Sequence, residues 1–141
     1  MISRQMNAQV DLVRWASSQI GNAFVWGETN CLALALTAID VQCGSALMDK
    51  FRRQMSSELR AQAWVKKHGF AGLVESFLSE GLVEIEPAFI QPGDLALVTL
   101  PDTLGASIFL GQQYLSSTAA GGVAIFGKHA LRDPEIIVGV R

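Results

Sequence analysis

Cys31 sits where thiol chemistry is switched on. It follows the loop Phe24-Val25-Trp26-Gly27-Glu28-Thr29-Asn30 and opens the run Leu32-Ala33-Leu34-Ala35-Leu36-Thr37-Ala38-Ile39-Asp40-Val41. A thiol on the first turn of a helix meets unpaired backbone N–H groups and the positive end of the helix dipole, and both favour the thiolate. The expected chemistry is that of a cysteine peptidase. Sulfur attacks a carbonyl, and an imidazole within hydrogen-bond reach holds the ion pair and then protonates the leaving amine. Two histidines are available. His68 precedes Gly69 at the end of a helical pattern, the place for a side chain that meets the last carbonyls of a helix. His129 lies in Lys128-His129-Ala130, past the apolar segment Gly122 to Phe126. A loop there can approach the helix from a neighbouring strand, which makes His129 the candidate displaced base. The alternative for Cys31 is a small residue filling space at the start of a buried helix.

Four further residues belong with this stretch or with the strands facing it. Trp26 reads as the aromatic wall of a groove or as core, and Gly27 as a backbone requirement. Asn30 stands immediately before the cysteine. Asp94, after Gly93, reads as the organiser of a turn. Cys43 reads as packing. On one helix the two cysteines would stand roughly 18 Å apart, too far for a disulfide. Two cysteines and two histidines so scattered make no zinc pattern, and neither metal nor cofactor is expected.

The elements that must position these residues follow from periodicity. Ser3 to Ile20 predicts a helix, with Met6, Val10, Val13 and Ile20 as its apolar stripe, widened by Leu12, Trp15 and Ala16, and Gly21-Asn22 ending it. The helix opened by Cys31 is apolar on almost every side, as a helix at the centre of a domain must be, and Cys43-Gly44 closes it. Ser45 to Met55 holds a short turn. Ser56 or Ser57 caps a helix running to His68, and a second short helix with Leu73, Val74, Phe77 and Leu78 on its apolar face ends at Gly81. At Leu82 the period changes. Leu82 to Glu86, Leu95 to Leu100, Gly105 to Gly111, Gln113 to Ser117, Gly122 to Phe126 and Ile136 to Val140 read as short strands, with turns at Pro92-Gly93-Asp94 and Pro101-Asp102. Helices first and strands second predict one α+β domain over residues 1–141, with the central helix on an antiparallel sheet of about five strands.

Composition sets the outer limits. The 141 residues are 50% hydrophobic and 17% charged, enough for one core. A net charge of −2 gives no reason to expect nucleic acid. No apolar run is long enough to span a membrane, and the N-terminus carries no secretory h-region. Basic residues cluster from Lys50 to Lys67 and acidic ones from Glu75 to Asp94. This predicts two solvated faces of opposite sign, or a dipolar surface that docks into a larger assembly.

The order of these motifs resembles the NlpC/P60 superfamily, the papain-like cysteine peptidases that cut bacterial cell-wall peptides. Phe24 to Cys31 resembles the family's aromatic–Gly–polar–Asp–Cys approach to its nucleophile helix. Gln91-Pro92-Gly93-Asp94-Leu95 is similar to its Pro-Gly-Asp-hydrophobic strand start, and Gly105 to Gly111 to its His-Val-Gly-Ile-Tyr-x-Gly strand. A closer resemblance is to short phage and prophage proteins of this superfamily that carry Trp-Gly-x-x-Asp-Cys and lack the histidine. Leu104-Gly105, Gly121-Gly122-Val123 and Val138-Gly139-Val140-Arg141 look like their remaining parts. In this chain the family's aspartate is Asn30, the histidine position aligns with Gly105, and the third polar residue falls near Ser117.

The resemblance implies a papain-like fold and a structural role in a phage tail: a tip or hub module assembled in the bacterial cytoplasm and carried in the virion. Its implied partners are tail or hub proteins, with a peptide or cell-wall ligand. A second expectation is an active hydrolase that uses Cys31 with a displaced base. A third is a domain that binds a small ligand in the relic cleft.

Overall fold

The computed structural model describes residues 2–101, 103–131 and 133–141. Asp102 of the expected Pro101-Asp102 turn lies outside the described residues. Four α-helices precede and flank a six-stranded sheet: α1 (Ala8–Gln19), α2 (Cys31–Cys43), α3 (Leu47–Phe51), α4 (Glu58–Ser79), then β1 (Val83–Ile85), β2 (Leu95–Thr99), β3 (Leu104–Phe109), β4 (Gln113–Thr118), β5 (Gly122–Gly127) and β6 (Ile136–Gly139). The architecture is α+β. Strand order is β1-β6-β2-β3-β4-β5, and every pairing is antiparallel.

Helix α2 is the centre of the packing. Its one side rests on β3 and β4, and α1 and α3 cover others. Leu34, Ala35, Leu36, Ala38 and Ile39 have essentially no exposed surface. Burying a leucine or isoleucine of this kind contributes about 2 kcal/mol each. Gly44 ends the helix in the left-handed conformation, donating its N–H to the Asp40 carbonyl. Ser57 caps α4 by accepting the Arg60 N–H, and the helix is interrupted at Gly69, which is non-helical. The two helical segments expected on either side of Gly69 are thus present.

Two expectations about packing need correction. Part of the expected stripe of the first helix faces outward: Met6, ahead of α1, is 99% exposed, Val13 60% and Val10 52%, whereas Leu12 and Ala16, which widened that stripe, are buried together with Ala8. The helix packs through Ala8, Leu12 and Ala16. The sheet has six strands, since β1 and β6 pair at one edge.

At the start of β2 the chain is fixed from several directions. The Asp94 carboxylate is fully buried and accepts from Arg4, from both Nη atoms of Arg141 and from the Gln91 N–H at 2.7 Å. Gly93 beside it has φ 98°, and a Cβ there would overlap the buried Gln42 side chain, whose Nε2 donates to the Gly93 carbonyl at 3.2 Å. This turn is therefore pinned to α2. The basic and acidic segments meet in one ion pair, Lys50 with Glu80.

Candidate functional site

The loop before Cys31 is tied to itself. The Val25 carbonyl accepts from the N–H groups of Glu28, Thr29 and Asn30, and Thr29 Oγ1 accepts from the Val25 N–H at 2.7 Å while donating to the Ala23 carbonyl at 2.6 Å. Gly27 has φ 79° and its N–H donates to Asn30 Oδ1 at 2.9 Å. Asn30 occupies the N-cap of α2 but makes no side-chain cap bond. Its amide reaches away from the helix, with Nδ2 donating to Met55 Sδ at 3.6 Å. A carboxylate at this position would have no proton to offer the Met55 sulfur.

Cys31 then emerges on the first turn, and its Sγ donates to the Leu104 carbonyl at 3.6 Å. Burial pushes its pKa up. The backbone N–H groups of Ala106, Leu32 and Cys31 itself pull the other way but lose. The direction is opposite to the one expected for a first-turn cysteine: the first-turn donors are in place, yet burial outweighs them. The contact with the Leu104 carbonyl is one that a protonated sulfur makes.

Cys31 opens onto a cleft of about 480 Å³. The loop supplies Phe24 and Trp26, whose rings meet edge-to-face at 5.0 Å. Helix α4 supplies Trp64, the turn after β2 supplies Leu100, and β3 and β4 supply Leu104 and Ser117. Trp26 is thus a wall of a groove. Ser117 is 6% exposed, and among the described residues nothing pairs with its hydroxyl. Its neighbour Ser116, by contrast, donates to the Ala106 carbonyl at 2.7 Å.

The other candidate residues are not brought to Cys31. Gly105 pairs with Val98, and a Cβ on it would face Leu100 and Val98. Side chains alternate along a strand, so the β3 position facing the sulfur is Leu104. His129 is exposed and follows β5 beyond Gly127, whereas the cleft lies at the other end of that hairpin, where Thr118 pairs with Gly122. Strand length alone separates the two ends by about 17 Å. His68 is exposed on α4. Asp94 serves the Arg4–Arg141 clamp at the opposite end of β2. Among the described residues no three His, Cys, Asp or Glu side chains stand together as metal ligands.

The residues that sequence reasoning did not join to the site are Trp64, Met55 and Leu104. All three come from segments distant in sequence; Trp64 and Met55 carry no motif, and Leu104 is legible only as part of the Leu104-Gly105 strand.

No curated protein matches the chain. The profile of a domain family of unknown function, DUF6950, matches residues 3–132, nearly the whole sequence. This chain therefore belongs to the DUF6950 family.

Proposed function

We propose that this protein is a non-catalytic module on a papain-like, NlpC/P60-type fold, serving as a structural part of a phage or prophage tail tip or hub. The observation that carries the non-catalytic part is the setting of Cys31. Its sulfur faces the Leu104 carbonyl, burial raises its pKa, and no imidazole of the described residues lies at the cleft. A helix N-terminus helps form a thiolate but cannot deliver a proton to a leaving amine, so peptide cleavage lacks a step here. Support for the fold type comes from the cysteine-led helix on an antiparallel sheet and from the Pro92-Gly93-Asp94 strand start. Support for the tail role comes from the resemblance to histidine-lacking phage proteins. On this reading the partners are other tail or hub proteins, joined in the host cytoplasm and retained in the virion.

The test is the pH dependence of Cys31 alkylation by iodoacetamide, with Cys43→Ser as background. The expected profile is slow, with an apparent pKa above that of an ordinary thiol. A plateau of rapid alkylation near neutral pH, lowered by His129→Ala, would establish a displaced dyad and favour the hydrolase.

A further inference from the structure

The cleft beside Cys31 contains a feature that packing alone does not account for. A hydroxyl buried without a partner costs free energy that alanine at the same position would not. Ser117 keeps such a hydroxyl, 94% buried by its residue, in the wall of an open cleft. The surroundings restrict what could meet it. Phe24, Trp26, Trp64, Leu100 and Leu104 present apolar and largely aromatic surface. Among the described residues no lysine, arginine or histidine lines the cleft, so an anionic group at the inner end would be unpaired. Among the described residues the one carboxylate in the lining, Glu58, is on an exposed residue, so a cation at the inner end would be unpaired as well. A volume of about 480 Å³ is in the range of small-molecule sites.

We propose that this cleft binds an uncharged, mainly aromatic small molecule bearing one hydroxyl or carbonyl group at its buried end, which the Ser117 hydroxyl receives. The inference rests on the reading of the cleft as non-hydrolytic, and it adds the ligand class. The rings of Trp26 and Trp64 hold the body of the ligand, and Ser117 selects its polar end. Cys31 contributes surface and takes no chemical part.

The test uses amide NMR shifts of the labelled protein at pH 7 with four probes: 2-naphthol, naphthalene, 2-naphthoate and 2-naphthyl acetate. The expected result is saturable binding of 2-naphthol, with shifts at Leu32, Leu104 and Ser117. Naphthalene and 2-naphthoate should each bind about five- to tenfold more weakly, the worth of one hydrogen bond or more. Ser117→Ala should bring 2-naphthol down to the naphthalene level while naphthalene binding is unchanged, which also shows that the variant is folded. Parity between 2-naphthoate and 2-naphthol, an unchanged 2-naphthol affinity in Ser117→Ala, or the absence of saturable shifts at the cleft would each overturn the proposal. Cys31-dependent release of 2-naphthol from 2-naphthyl acetate would instead overturn the non-catalytic reading, whatever the binding results.

Discussion

At Cys31 two effects of known size oppose one another. The dipole and free N–H groups of a helix N-terminus contribute about 0.3–2 kcal/mol to a nearby anion. Withdrawing that anion from water costs several kcal/mol after relaxation. Desolvation wins, and the folded pKa rises above the ordinary thiol value. The sign of the stability effect follows. Below the unfolded thiol's pKa both states hold the proton, and there is no pH dependence from this group. Between the unfolded and folded values only the unfolded chain sheds it, so stability falls as pH rises, by up to about 1.4 kcal/mol per pH unit. Cys43, also raised by burial, adds in the same direction. In a Cys43→Ser background, urea unfolding between pH 7 and 10 should show an alkaline loss of stability that Cys31→Ala reduces. Identical slopes would mean the sulfur is not desolvated. Asn30 shows what a motif can and cannot convey at this scale. Its position before the cysteine was legible, but its partner Met55, 25 residues away, was not.

Elements were legible where local pattern decides them. The all-round apolarity of α2, the break at Gly69 and the Ser57 cap come from residues adjacent in sequence, and each appears where expected. The packed face of α1 was legible only in part, through Leu12 and Ala16. Its sequence carries two rows, one of large residues at Met6, Val10 and Val13 and one at Ala8, Leu12 and Ala16. Periodicity detects both, but only the neighbour chooses between them, and the crowded Leu-Ala face of α2 favours the smaller row. This inversion is measurable. Leu12→Ala should cost about 2–4 kcal/mol in urea unfolding, and Val13→Ala should stay within about 0.5 kcal/mol. Comparable losses at both sites would mean that the outer row is covered in solution. The edge of β5 also depends on a distant segment. The Gly21 N–H donates to the Val123 carbonyl, and the Val123 N–H to the Asn22 carbonyl, so the turn after α1 extends the sheet and shields part of that edge.

Over the whole molecule, sequence separation sets what a reading of the chain can reach. The α+β class follows from helices preceding strands. The Asp94 clamp joins Arg4, Asp94 and Arg141, 90 and 47 residues apart, and only the turn at its centre had a local signature. The cleft is likewise assembled from the Phe24–Cys31 loop, α4, the turn after β2, and strands β3 and β4. Its cysteine and tryptophan were visible in the motif, whereas its depth, its lack of a cation and the unpaired Ser117 hydroxyl appear only when the segments meet. What emerges is a cysteine-led helix whose sulfur faces the Leu104 carbonyl at the side of a largely apolar cleft. The most direct test of this account is complementation. In the bacterial host, a deletion of the gene would be complemented with wild type or with Cys31→Ala, and infectious particles counted alongside mass spectrometry of purified tails. The account predicts that the deletion lowers the yield of intact tails, that Cys31→Ala restores it as fully as wild type, and that the protein is found in the tails. A folded Cys31→Ala protein that fails to restore infectivity would contradict it, because thiol chemistry would then be required.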